Sequence, residues 1–91
     1  MNKTLKIVIK PHAEFQMKRR GISEHEVKDV IKNPDQVIEY EKKRLVYQKK
    51  SFDRVQNKWY FFRVILEKSN KNVIVITVYK TSKIAKYWRE K

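Results

Sequence analysis

Cysteine is absent from this sequence, glycine occurs once, and proline and histidine occur twice each. Without cysteine there are no disulfides, thiolate metal sites or cysteine nucleophiles, and the fold needs no oxidising compartment. One glycine excludes a Gly-rich phosphate loop, and with two prolines it leaves no material for a long flexible linker. Two histidines with no H-E-x-x-H pattern and no clustered carboxylates argue against a metal site, and no cofactor is expected. Long apolar runs are also missing. Lys3 precedes Leu5, Ile7, Val8 and Ile9, but Lys6 and Lys10 break that stretch short of the roughly seven apolar residues of a secretory h-region. Nothing approaches the roughly 20 apolar residues of a membrane-spanning helix. The expectation is a cytoplasmic protein, residues 1–91 forming one domain.

What is present is apolar material enough to fold and an excess of one charge. The 91 residues are 41% hydrophobic and 12% aromatic, too rich for a disordered chain despite 36% charged residues. Lysine and arginine total 23 against 10 acids, a net charge of +13. Self-repulsion on that scale usually accompanies an anionic partner: RNA, DNA, an anionic membrane or an acidic protein. The competing explanation is a lysine-rich surface that only keeps the chain soluble.

Leu5, Ile7 and Ile9 alternate with lysines and read as a strand with one buried face. Pro11 suits the first position of a helix over 12–20, with Ala13 and Met17 turned to the core and Gly21 as its left-handed stop. Ser23 and Glu26 form an S-x-x-E capping box for a second helix, lined by Val27, Val30 and Ile31 and ended by Asn33-Pro34. A helix–turn–helix reading fails, because Glu24, Glu26 and Asp29 would face phosphates. Strands follow at 36–41, 44–50, 59–67 and 73–80, with turns at 41–43 and 68–72, a polar loop at 51–58, and Ser69 and Asn70 at the last hairpin tip. Thr81 or Ser82 caps a short C-terminal helix running through Tyr87 and Trp88. The order β-α-α-β-β-β-β-α predicts an α+β fold: two N-terminal helices on a twisted, mainly antiparallel sheet of four to five strands.

Side-chain alternation assigns Tyr60, Phe62, Val64 and Leu66, with Ile74, Ile76 and Val78, to the core face. The opposite face then carries Trp59, Phe61, Arg63, Ile65, Val73, Val75, Thr77 and Tyr79. Strand three adds Arg44, Gln48 and Lys50, or Tyr47 and Lys49, depending on register. Such a face suits RNA: unpaired bases stack on Trp59 and Phe61, while Arg63, Lys49, Lys50, Lys80, Lys83 and Arg20 hold phosphates. The alternative for Trp59 and Phe61 is packing beneath the C-terminal helix, and for Arg63 a salt bridge to a glutamate. His12, at a helix start, is either a structural hydrogen-bonder or a general acid or base.

The segment His12-Ala13, Met17 and Arg20-Gly21-Ile22-Ser23 resembles the "HA…RM…RGIS" opening of a small prokaryotic family of unknown function, with Gln16 where members often carry arginine. The close from Val75-Ile76-Thr77-Val78-Tyr79-Lys80 to Tyr87-Trp88 fits the same pattern. At the level of fold that family is similar to the RelE, ParE and BrnT toxins, RelE-like members of which cut RNA without a metal, using basic residues and a tyrosine on the exposed sheet. The resemblance implies Arg63, Tyr79, Lys80 and Tyr87 as the counterparts, with a small acidic antitoxin and ribosome-bound mRNA as partners. Cleavage would need the 2′-OH aligned with its phosphate, Arg63 stabilising the transition state, and a base and an acid drawn from His12, Tyr79, Tyr87 or a lysine of lowered pKa. Two function classes stay open: an RNA-cleaving toxin (an endoribonuclease) and a non-catalytic basic module binding nucleic acid or an acidic protein.

Overall fold

The computed structural model describes residues 6–69 and 71–88, so Leu5 and Asn70 lie outside the described residues. In chain order the elements are β1 (Lys6–Ile9), α1 (Pro11–Arg20), α2 (Glu24–Lys32), β2 (Gln36–Glu41), β3 (Arg44–Asp53), β4 (Lys58–Ser69), β5 (Asn72–Thr81) and α3 (Ile84–Tyr87). Among the described residues the architecture is mixed α+β: one five-stranded sheet in the order β1-β5-β4-β3-β2, with three helices. The sheet is antiparallel except where β1 runs parallel to β5.

Local chemistry sets the helix ends. Pro11 occupies the first turn of α1, where a missing N–H costs nothing, and Gly21 ends the helix at φ 67° and ψ 35°. The Ile22 N–H donates to the Met17 carbonyl at 2.9 Å, completing the left-handed stop and delivering the Ile22 side chain to the core. The capping box of α2 is present in both directions. The Glu26 N–H donates to Ser23 Oγ at 3.1 Å, and the Ser23 N–H donates to Glu26 Oε1 at 2.9 Å.

α1 packs on β5 and α2 on β3 and β4, all from one side of the sheet. Ala13, Met17, Val27 and Val30 meet Phe62, Val64 and Leu66 of β4 there, beside Tyr47 of β3. The β5 contribution differs from simple alternation: Val73 and Val75 enter this core, not Ile74 and Ile76. The cause is a bulge. Ile65 pairs with Thr77 but Leu66 pairs with Val75, so Ile76 is an extra residue on β5 and the facing of β5 inverts around it. Beyond the bulge Val78 points to the helices and Thr77 and Tyr79 to the far face, in the expected frame.

The polar loop expected over 51–58 shrinks to residues 54–57, because β3 runs on to Asp53. Asp53 Oδ1 accepts from the N–H groups of Val55 at 2.9 Å and Gln56 at 3.1 Å, and Asn57 takes a positive φ of 55°. At the C-terminal end, Lys83 rather than Thr81 or Ser82 occupies the cap position of α3. The Thr81 hydroxyl instead accepts the Lys83 N–H at 3.1 Å, just outside the helix.

The far face of the sheet is also partly covered. Phe61, Val46 and Gln48 are buried there, and the Trp88 ring at the end of α3 lies against Phe61 with centroids 5.7 Å apart. Among the described residues no helix is long and apolar enough to cross a membrane.

Candidate functional site

β3, β4 and β5 pair so that Gln48, Arg63 and Tyr79 stand side by side on the far face, with Gln36 of β2 opposite Gln48. This register selects Arg44, Gln48 and Lys50 as the β3 residues on that face. A polar row therefore crosses four strands at mid-sheet, on the side away from α1 and α2.

The row is linked by hydrogen bonds. Arg63 Nε donates to Gln48 Oε1 at 2.6 Å, and Arg63 Nη1 donates to the Tyr79 hydroxyl oxygen. Gln48 Nε2 donates both to Gln36 Oε1 at 3.0 Å and to the Tyr87 carbonyl at 3.3 Å. A fully buried amide costs several kcal/mol unless its donors and acceptor are satisfied, and Gln48 is satisfied on both atoms. Its position is thereby fixed, and it fixes Arg63 in turn.

Aromatic rings complete the surroundings of the guanidinium. Arg63 Cζ lies 4.4 Å from the Tyr87 ring centroid and 5.4 Å from that of Tyr79, and the two rings meet edge to face at 6.0 Å. These contacts offset part of the desolvation of a half-buried cation. No carboxylate among the described residues does so. The ion pairs of the described residues are Lys28–Glu24, Arg44–Glu67 and Lys49–Asp29, and none involves Arg63. Arg63 Nη2 has no hydrogen-bond partner among the described residues, yet no buried side-chain N or O there lacks one. Nη2 therefore opens to solvent.

Tyr79 has its pKa raised above the ordinary tyrosine value. Burial is the main cause, the Arg63 charge and hydrogen bond oppose it, and the nearby Tyr87 adds to the rise. Tyr79 is thus a neutral phenol at physiological pH, suited to donating a proton rather than taking one. The sign of the linkage follows: a phenol protonated more firmly in the folded state stabilises the fold below about pH 10 and loses that contribution as pH climbs through its raised pKa. Urea midpoints of wild type and Tyr79→Phe, measured across alkaline pH, are expected to converge with the wild type falling faster. A constant gap between the two would contradict this assignment.

Of the residues singled out from sequence, Arg63, Tyr79 and Tyr87 come together, with Lys50 beside them. Lys50 Nζ sits 3.9 Å from the Trp88 ring centroid on the same face. Lys83 is exposed just before α3, and Trp59 is 54% exposed near the start of β4. The remaining candidates lie elsewhere. Phe61 is fully buried against Trp88, so its ring is not open to a base. Lys49 faces the helices, donating to the Asn33 carbonyl at 2.9 Å and pairing with Asp29 at 3.9 Å. Lys80 also points to that side, 4.7 Å from the Tyr60 ring centroid. His12 and Arg20 are exposed on α1, in the layer across the sheet from Arg63, and His12 Nε2 lies 3.5 Å from Gln16 Nε2. Gln36 and Trp88 enter the site without having been singled out. Gln36 carries no motif, and only a known register connects it to Gln48; Trp88 belongs to the Tyr87-Trp88 close of the family pattern, which marks no role for it.

Hollows of about 390 and 280 Å³ lie on the helix side, the first beside Met17 and Lys18 and the second between Glu26, Tyr60 and Lys80. The arginine cluster occupies the open sheet face instead. Among the described residues no group of three or more His, Asp or Glu is placed to hold a metal ion.

Fold and site together define a small, strongly basic α+β domain with an arginine at the centre of a sheet face that no carboxylate of the described residues neutralises. The chain belongs to the family described as a domain of unknown function, DUF4258, whose model matches residues 9–80. That span includes Arg63 and Tyr79 and stops short of α3. No curated protein and no solved structure matches the chain.

Proposed function

We propose that this domain binds RNA through the far face of its sheet, with Arg63 holding a backbone phosphate. The observation that carries the reading is the company Arg63 keeps: an amide, two phenol rings and solvent, with no acid among the described residues. A guanidinium presents a planar fork matched to phosphate oxygens, and such charge-assisted pairs are about twice as strong as neutral hydrogen bonds. The net charge of +13 supplies the long-range attraction for a polyanion. In this proposal the fold is a RelE-like one, the protein works in the cytoplasm, and a small acidic antitoxin covers the same face.

A second reading, RNA cleavage, is favoured by the Arg63–Tyr79 pair. A fixed cation beside a phenol held protonated supplies charge stabilisation and a general acid: the RNA's own 2′-OH attacks the adjacent phosphorus and gives its proton to water, the P–O5′ bond breaks, and the departing 5′ oxygen takes the Tyr79 proton. His12, across the sheet, is not the base of such a reaction.

Binding is tested by titrating labelled, unstructured RNA at several salt concentrations. Contact with about five phosphates of a single strand predicts a log–log slope near −3.5. A flat slope would remove RNA as the ligand. Incubation with bare and ribosome-bound RNA separates the two readings: products lost in Arg63→Ala identify a nuclease, and uncut RNA with binding retained identifies a binding module.

A further inference from the structure

The exposed end of the β3–β4 hairpin carries two aromatic rings: Trp59, expected from sequence to stack bases, and Phe52, to which no role has been given. Phe52 and Trp59 are cross-strand partners on the far face, 42% and 54% exposed, with ring centroids 5.2 Å apart at 66°. Rings of this size left in water on a small domain call for an explanation, since burying either would be favourable. They share the Arg63 face, because Trp59, Phe61 and Arg63 alternate along β4 and Phe61 is sealed under Trp88. Four residues at about 3.3 Å each place Trp59 about 13 Å from Arg63.

The charges flanking the pair on its own face are basic. Lys50 stands opposite Phe61 on the same face and Arg54 is exposed in the adjoining turn, while Lys58 turns to the helix side, its ammonium 5.6 Å from the Tyr60 ring centroid. The acid of that turn, Asp53, has Oδ1 taken up by the N–H groups of Val55 and Gln56. An apolar partner would have to strip water from those cations, whereas a nucleic-acid strand brings phosphates to them while its bases need a π-surface.

We infer that Phe52 and Trp59 form a subsite that stacks an unpaired base of single-stranded RNA, displaced along the strand from the phosphate at Arg63. The inference rests on the RNA-binding reading and narrows it to single strands, since a paired base has no free face to offer. The 13 Å separation corresponds to about four nucleotides at a stacked rise of about 3.4 Å each, and to fewer in a drawn-out strand. The subsite is sequence-tolerant, because every base has a π-face.

The test compares a hexauridylate with an abasic oligonucleotide of the same length and charge, each titrated against wild type, Trp59→Ala and Trp59→Phe at fixed salt. Trp59 is largely exposed, so both variants are expected to fold, which a thermal melt verifies. The expected result is about a tenfold loss of hexauridylate affinity in Trp59→Ala, partial recovery in Trp59→Phe and no change on the abasic strand. Unchanged hexauridylate binding in Trp59→Ala would overturn the subsite and leave the RNA reading standing. Equal losses on both strands would overturn it too, because the lost contact would not be to a base. If wild type bound neither strand, the RNA reading itself would fall and the subsite with it.

Discussion

Arg63→Ala is expected to weaken binding of unstructured RNA by roughly 10- to 100-fold at moderate salt. Hydrogen bonds to a charged group contribute about 1.5–3 kcal/mol, and each 1.4 kcal/mol is a factor of ten. The log–log salt slope should become shallower by about 0.7, the loss of one phosphate contact on a single strand. The substitution also leaves Gln48 Oε1 buried without its donor, so the fold should weaken by about 1–3 kcal/mol, and binding has to be measured well below the melting transition. Arg63→Lys separates the effects. It keeps the charge and the slope but not the fork, and its affinity should fall between wild type and alanine. Wild-type affinity and slope in Arg63→Ala would place the phosphate site elsewhere.

Phe61→Ala is expected to destabilise the protein by about 3–5 kcal/mol, the usual cost of removing a buried phenyl ring. Against the roughly 5–15 kcal/mol that holds a small domain together this is a large fraction, and for a chain of this size it corresponds to a melting temperature lower by roughly 15–30 °C. The ring fills the space between the sheet and Trp88, and its loss leaves both the indole and the Lys50 ammonium above it without support. Trp59→Ala, one pleat along the same face, should move the melt by only a few degrees. A calorimetric or denaturant comparison of the two variants distinguishes core from platform, and similar small effects in both would show that Trp88 does not seal Phe61.

The strands and helices were legible in the sequence because their signals are local. Gly21 stops a helix by its own backbone freedom, and Ser23 with Glu26 caps one within four residues. Frame and register were not legible. Residues 73–76 read Val-Ile-Val-Ile, apolar at every position, so nothing in the pattern marks Ile76 as the extra residue. Unbroken alternation consequently puts Ile74 and Ile76 in the core where Val73 and Val75 belong. The same assumption still pairs Arg63 with Tyr79, because the bulge lies on the other side of Thr77 from them. Gln48 became identifiable as the fixed neighbour of Arg63 only once β3 was registered against β4. Tyr87 came from family resemblance, and packing of Phe61 beneath the C-terminal helix is one of two readings its ring allows, a choice that only the long-range contact with Trp88 decides. His12 was misplaced for a topological reason: α1 crosses the face opposite Arg63.

The order in which the chain supplies this cluster has a consequence for its synthesis. Gln48 reaches forward 39 residues to the Tyr87 carbonyl, and β1, made first, waits for β5 before it has a neighbour in the sheet. A nascent chain emerging at about 5–20 residues per second therefore displays Arg63 before the ring that stacks on it has left the ribosome. Each new molecule passes through an interval in which Arg63 is in place and the face that is to hold it is not yet assembled.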